Sequence, residues 1–332
     1  MSEPFVVASC AASFGVLTHE PVERLEAAGC VVKVNPLGRA MKDLEMIKFA
    51  ADADAIILGN AELSGRVIRA LPKLKFIARH GTGIDSIAYA EARSRGIVIT
   101  NAPGTNSEET ADLTFGIILD LERNISPMNA ELKSGIWKKR AGHSLYGKTI
   151  GIIGVGAIDQ AVARHAMGFG MDILSNDIVQ RPEAARTGLI FTSLNELLRK
   201  SDIVTLHVPL TDATRNLIGA KELRMMKDDA VLINTARDGI VRHSALEKAL
   251  LGGTLFGYGA DVHNGEDPKH LDIYDLPNVV VTPHAGSATY ESNLRMGMAV
   301  ADNILAFVNG ATPPNVVTPA SFFGVGAGQL AA

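Results

Sequence analysis

Lys148-Thr149-Ile150-Gly151-Ile152-Ile153-Gly154-Val155-Gly156-Ala157-Ile158-Asp159 is the stretch from which the architecture can be read. Its apolar, β-branched run stops at Gly154, turns through Gly156 and passes into Gln160 to Phe169, which reads as a helix closed by Gly170. A second strand, Met171 to Asn176, follows and ends at Asp177, roughly twenty residues past the second glycine. Strand, tight turn, helix, strand and acid make up a dinucleotide-binding βαβ unit. Its glycines let the backbone approach a pyrophosphate, and its acid takes ribose hydroxyls. The glycines alone would suit a turn in any α/β domain; the acid at the right distance is what favours the dinucleotide. The third glycine of the pattern is replaced by Asp159. An acid in a first helical turn suits the macrodipole, but it would compete with a bound pyrophosphate for the same positive end.

Upstream of this unit, short apolar runs alternate with helical segments. They run through Phe5 to Ala8, Val22 to Ala28, Val31 to Val34, Met41 to Ala50, Ala55 to Leu58, Gly65 to Ala70 and Leu74 to Arg79. Such alternation predicts a parallel sheet, in which ligands bind at the carboxyl ends of the strands. His80-Gly81-Thr82-Gly83-Ile84-Asp85 stands at one such end, where two glycines around a threonine leave amides free to hold an anion; a plain strand-to-helix turn reads equally well there. After Ile97 to Thr100, the turn-rich Asn101-Ala102-Pro103-Gly104-Thr105-Asn106 marks a domain crossing. A long helix from Ser107 through Leu121 is then expected, with Pro127 separating it from a second that ends near Gly135-Ile136-Trp137; these helices read as a hinge or dimer face. Beyond Asp177 the alternation resumes, and a last helix, Thr289 to Phe307, carries the chain back to the first domain. No regulatory segment is expected after that helix.

With 332 residues, the chain suits two α/β domains, each able to bury a core. The formal charge of −4, without any run of five basic residues, argues against nucleic acid as a partner. No apolar stretch approaches the ~18 residues of a membrane span, and MSEPFVVASC lacks the pattern of a signal peptide, so a cytoplasmic protein is expected. Cys10 and Cys30 fit no metal or redox spacing and read as reduced packing residues, and no histidine pair has a metal-ligand spacing.

Three strand ends of the second half deliver Arg237, Glu266 and His284 to one sheet edge. Hydride exchange between a nicotinamide and a carbonyl requires a proton donor for the oxygen, a cation to polarise it and a clamp for the rest of the substrate. His284 suits the donor because its ordinary pKa, about 6.5, lies near neutrality. Glu266 would orient the imidazole and favour its charged form. Arg237 offers a planar fork for a carboxylate and the adjacent carbonyl oxygen. Any one of these side chains alone would read as a structural or solvated residue; their coincidence carries the assignment.

The chain resembles the D-isomer-specific 2-hydroxyacid dehydrogenase family, which includes phosphoglycerate dehydrogenases and glyoxylate/hydroxypyruvate reductases. The resemblance runs through His80-Gly81-Thr82-Gly83-Ile84-Asp85, Asn101-Ala102-Pro103-Gly104, the glycine loop, His207-Val208-Pro209-Leu210-Thr211, Asn234-Thr235-Ala236-Arg237, Asp261-Val262, Glu266 and Thr282-Pro283-His284. It implies Arg237 as the substrate-binding and polarising residue, His284 as acid/base and Glu266 as its partner. It also implies substrate carboxylate at Gly81, Thr82 and Gly83, with Thr82 near the nicotinamide. For the cofactor, it implies Gly154, Gly156, Ala157 and Ile158 at the pyrophosphate and Asp177 at the ribose. Val208, Thr235, Ala236, Asp261, His284 and Gly286 would line the remaining path, with Asp261 near the nicotinamide amide. Asp177 would repel a 2′-phosphate, which favours NAD over NADP, with Arg181 as the one counterargument. Besides Asp159, Asp238 departs from the family, standing where a glycine follows the arginine.

The resulting expectation is an NAD-dependent oxidoreductase of two Rossmann-like parallel-sheet domains, interconverting a small 2-hydroxy acid and its 2-oxo acid without a metal. Residues 102–287 would bind NAD, residues 1–101 with 288–332 would form a discontinuous substrate domain, and two chains would pair as a homodimer. An NAD(H)-responsive binding protein with weak catalysis and a phosphite-type oxyanion dehydrogenase remain alternatives.

Overall fold

The computed structural model describes residues 3–179, 188–263 and 272–319. The chain divides into two compact units, Met1–Asn106 with Ala288–Ala332, and Ser107–Ser287.

In the first unit, β1 (Val6–Ser9), α1 (Glu20–Ala27), β2 (Val31–Lys33), α2 (Asp43–Phe49), β3 (Ala55–Leu58), α3 (Gly65–Ala70), β4 (Phe76–Arg79), α4 (Tyr89–Ser94) and β5 (Val98–Thr100) alternate as the sequence predicts. The five strands form a wholly parallel sheet in the order β2-β1-β3-β4-β5. Successive side chains feed opposite faces: Ala55 and Ile57 of β3 join one core, Ile56 and Leu58 the other. Covering both faces is what makes these strands read as unbroken apolar runs.

The second unit opens with α5 (Ser107–Arg123) and α6 (Ile125–Lys133). The break between them lies at Asn124, in left-handed conformation at φ 52°, and not at Pro127 as its sequence position implies. Pro127 sits in the first turn of α6, where a missing N–H costs nothing. There follow β6 (Thr149–Ile153), α7 (Ala157–Gly168), β7 (Asp172–Asn176), β8 (Ile190–Phe191), α8 (Leu194–Lys200), β9 (Ile203–Leu206), α9 (Ala220–Leu223), β10 (Val231–Asn234), α10 (His243–Leu251), β11 (Gly257–Ala260) and β12 (Val279–Val281). Seven parallel strands take the order β12-β11-β10-β9-β6-β7-β8, so the direction of winding reverses beside β6. Glycines allow helices to lie close on this sheet. A Cβ on Gly151 would meet Leu197 and Ser201 at 2.4 Å, and one on Gly259 would meet Ile117 at 2.3 Å. Those two positions seat α8 and α5 on opposite faces, against the cores containing Leu197 and Ile117.

The last helix, α11 (Tyr290–Val308), is capped by Thr289, whose hydroxyl accepts from the Ser292 amide at 3.0 Å. Its Val300, Ala301 and Ile304 complete a first-unit core with Phe14, Val22 and Leu25. Among the described residues, no helix is long and apolar enough to cross a membrane. Cys10 and Cys30 are buried free thiols.

Candidate active site

All strands of the second sheet run the same way, so their carboxyl ends share one edge. That edge gathers Gly154 to Ile158 after β6, Asp177 after β7, Val208 after β9, Thr235, Ala236 and Arg237 after β10, Asp261 after β11, and His284 with Gly286 after β12. Glu266 and Arg181 lie outside the described residues.

At the glycine loop, α7 begins at Ala157, three residues before the apolar periodicity does. Asp159 turns inward and does not project from the helix end. It is 2% exposed, and its Oδ2 accepts the Gly156 amide at 2.7 Å in a capping-box arrangement. Gly154, at φ +127°, makes room for it, because a Cβ there would stand 2.2 Å from Oδ1 of Asp159. The acid therefore occupies the Gly156 donor, and the first-turn amides of Ala157 and Ile158, which have no carbonyl one turn back, are left to an anion. Asp177 braces the same loop from β7: its Oδ2 accepts from the Val155 amide at 2.9 Å and its Oδ1 from Val179 at 3.0 Å. A bare glycine turn, free first-turn amides and a strand-end carboxylate are the donor and acceptor set that a dinucleotide requires, and the residues fit that group.

Across the switch point, His207 is held between two hydroxyls, Thr205 Oγ1 at 2.9 Å from Nε2 and Thr235 Oγ1 at 3.5 Å from Nδ1. Desolvation pushes its pKa down to about 3, so the ring is neutral. Thr235 continues to Thr114 at 3.0 Å, Thr114 donates to the Thr110 carbonyl at 2.7 Å, and Thr110 reaches the Gly286 carbonyl at 3.4 Å. This hydroxyl chain along α5 ties the ends of β9, β10 and β12 together. Thr110 and Thr114 escaped the sequence reading because their partners lie more than a hundred residues away.

Asp261 is 2% exposed and accepts three hydrogen bonds: Thr282 Oγ1 at 2.6 Å and the Ala285 amide at 2.7 Å on Oδ1, and the Gly286 amide at 2.8 Å on Oδ2. Between those anchors His284 adopts φ 55°, a left-handed conformation uncommon outside glycine. Its amide donates to the Thr282 carbonyl at 3.0 Å. Asp261 is thus committed to the loop that carries His284, a role the sequence did not announce. On β10, the Asn234 side chain donates to the Arg237 carbonyl at 2.8 Å and accepts from the Ala236 amide at 3.1 Å, while Arg237 Nη1 donates to the Ala236 carbonyl at 2.7 Å. Arg237 and His284 are both half-buried, open enough to meet a ligand.

In the first unit, Gly81, Thr82 and Gly83 follow β4, with Gly81 at φ +146°. The 6%-exposed Arg79 lies beneath them, donating to the Gly83 carbonyl at 2.7 Å, Asn60 Oδ1 at 3.2 Å and the Leu58 carbonyl at 3.4 Å. A buried guanidinium holding loop carbonyls brings positive charge under the amides proposed for a carboxylate. Asn101 fixes the Thr82 carbonyl at 2.8 Å, and the Thr82 hydroxyl meets Asn106 at 3.2 Å. His80 is buried against Phe14 and bonded to Ser13 Oγ at 3.1 Å. Desolvation pushes its pKa down to about 4, which leaves it a neutral structural residue.

Comparison with known proteins places this geometry. A family model for the D-isomer specific 2-hydroxyacid dehydrogenase NAD binding domain matches residues 115–286. The glyoxylate reductase of Thermococcus litoralis is 41% identical over 283 residues, 82% of this chain and 86% of that protein. The D-3-phosphoglycerate dehydrogenase of Methanocaldococcus jannaschii is 38% identical over 306 residues, and the match covers 91% of this chain but 58% of that longer protein. Among solved structures, the D-lactate dehydrogenase of Aquifex aeolicus complexed with NAD and lactic acid superposes with a TM-score of 0.81 at 28% identity, covering 94% of this chain and 98% of that one.

Proposed function

The chain belongs to the D-isomer specific 2-hydroxyacid dehydrogenase family and is an NAD-dependent oxidoreductase, and from that premise we propose that it reduces a small 2-oxo acid of the glyoxylate or hydroxypyruvate class. The relatives named glyoxylate reductase favour this substrate class over the bulkier phosphorylated one.

NAD(H), when bound, supplies or takes the hydride; the side chains do the rest. The Ala157 and Ile158 amides would hold the pyrophosphate and Asp177 the ribose, with exposed Gly156 leaving the approach bare and Gly154 giving its space to Asp159. Val208, Thr235, Ala236 and Gly286 line the path toward the nicotinamide. Arg237 binds the substrate carboxylate and polarises the carbonyl, and within the first unit Gly81, Thr82 and Gly83 are the residues that would offer amides to a carboxylate. His284 delivers the proton to the carbonyl oxygen during reduction and, as the neutral ring, removes it during oxidation, with Glu266 as the group that would orient the imidazole and favour the charged form once the proton is taken up. The observation that carries this reading is the Asp261 clamp, which fixes the His284 loop in an unusual backbone conformation at the same sheet edge as Arg237 and the dinucleotide loop. In the same reading, residues 102–287 bind NAD and the rest binds substrate. Two chains pair through the helices after Asn106, where Ile125 and Leu132 are exposed, and through the segment behind them, where Trp137 is exposed; the enzyme works in the cytoplasm, consistent with two free thiols.

The test is NADH oxidation with glyoxylate, hydroxypyruvate, pyruvate, 2-oxoglutarate and phosphohydroxypyruvate. Turnover highest with glyoxylate or hydroxypyruvate is expected; preference for the phosphorylated acid would overturn the substrate class, and no turnover with any would overturn the assignment.

A further inference from the structure

Asp238 and His243 occupy the turn that leads away from Arg237. Asp238 opens a 3-10 turn, Asp238–Ile240, directly after Arg237, and His243 is the first residue of α10. Nε2 of His243 stands 2.7 Å from Oδ1 of Asp238, a close ion pair lying off the axis of a ring N–H. Both side chains are largely enclosed, at 32% and 17% exposure, so water screens the contact less than it would at the surface. The contact with the Asp238 carboxylate raises the His243 pKa above its ordinary value, outweighing the opposite effect of burial.

The phenols around this carboxylate do not neutralise it. Tyr258 on β11 and Tyr274 in the 3-10 turn Asp272–Asp275 both face Asp238, and burial together with its charge raises both phenols, so they stay protonated and uncharged. Arg215, from the segment after β9, packs beside Gly239, and Arg242 is exposed. Among the described residues, His243 is the ionisable partner that sits on the carboxylate itself.

We propose that the Asp238–His243 pair sets affinity for the anionic substrate: protonated His243 cancels the negative charge that this chain carries on the residue after Arg237, and loss of the proton leaves Asp238 opposing the substrate's carboxylate. This rests on Arg237 being the substrate's carboxylate clamp. Substrate binding therefore weakens as pH rises through the His243 titration, while the hydride and proton transfers, which His243 and Asp238 do not touch, continue at their own rate.

The experiment measures KM for glyoxylate between pH 6 and 9 at low ionic strength, with kcat and the NADH dissociation constant, for the parent, His243→Gln, Asp238→Asn and Arg237→Lys. The parent KM is expected to rise by about threefold across this range, to sit high at every pH in His243→Gln and to sit low at every pH in Asp238→Asn. The kcat and NADH affinity of these two variants should stay within about twofold of the parent, and added salt should flatten the parent profile. KM moving in the same direction in both variants would mean a mechanical brace and overturn the proposal, as would a His243→Gln profile that overlays the parent. The salt titration of the parent needs no variant, and a KM slope that persists undiminished at high salt would also reject it. Arg237→Lys reads the underlying assignment separately: its KM unchanged would remove the clamp itself.

Discussion

The Asp261 carboxylate lies 2.8 Å from the Gly286 amide, and its other oxygen holds the Ala285 amide at 2.7 Å, so one buried side chain fixes the two peptide units that follow His284. The imidazole is aimed by backbone that Asp261 constrains. Asp261→Asn presents an amide donor to one of these backbone donors. The expected result is a loss of about 1–3 kcal/mol in stability, typical of an unsatisfied buried donor. A fall in kcat is expected with it. Denaturant melts and steady-state kinetics check both, and wild-type values for each would remove Asp261 from the role.

His284→Ala should lower kcat by about 10²- to 10⁴-fold, the usual contribution of a positioned acid/base. NADH binding, followed by fluorescence quenching, should remain measurable. Turnover at the parent rate would assign the proton to another group.

Asp159 offers two separable effects. Asp159→Asn keeps a side chain that can accept from Gly156 but removes the charge from the pyrophosphate loop, and NADH should bind several-fold more tightly. Asp159→Gly removes the cap as well, at a cost of about 1 kcal/mol in stability. An NADH dissociation constant unchanged in both would show that the inward carboxylate is silent toward the cofactor.

Glu122 is completely buried and paired with Lys148 at 3.0 Å, beneath the start of β6. Lys148→Met strands that carboxylate, and breaking a buried pair from one side costs about 3–5 kcal/mol. Thermal denaturation should show a large drop in Tm, and a shift within error would mean that the pair adds nothing to stability.

Two neutral histidines predict acid sensitivity. In the unfolded chain a histidine takes a proton near its ordinary value, about 6.5. In the folded chain His80 waits until about 4 and His207 until about 3. Between those limits the unfolded state binds more protons, so stability falls as pH falls from about 6.5 toward 3 and is fully present above it. Melting curves over that window should show the slope, and His80→Gln should flatten its upper part.

Much of the fold is legible without coordinates because two-sided burial imposes unbroken apolar runs on parallel strands. Ala55 to Leu58 and Gly65 to Ala70 have the same bounds in the sequence reading and in the structure. Local signals misled where backbone geometry overrides residue type: α7 starts at Ala157, and the helix break falls at Asn124 beside a conspicuous Pro127. At the site, sequence placed Arg237, Asp261 and His284 at strand ends, since that depends only on where each apolar run stops. What each side chain touches depends on neighbouring strands. The three bonds of Asp261, the Thr110–Thr114–Thr235 relay and the guanidinium of Arg79 under Gly83 became visible only with the sheet order.

The first unit borrows Val300, Ala301 and Ile304 of α11 for the core built on Phe14 and Leu25, with the whole of Ser107–Ser287 intervening. On a translating ribosome, the earliest-made half therefore emerges with a greasy flank that nothing yet covers, and it must wait for some two hundred more residues while the contiguous insert can already fold. The growing polypeptide is most vulnerable to aggregation and to chaperone capture in that interval. A chain stalled before Val300 should be retained by holdases through its amino-terminal portion, although every residue of the nucleotide-binding half has already been made.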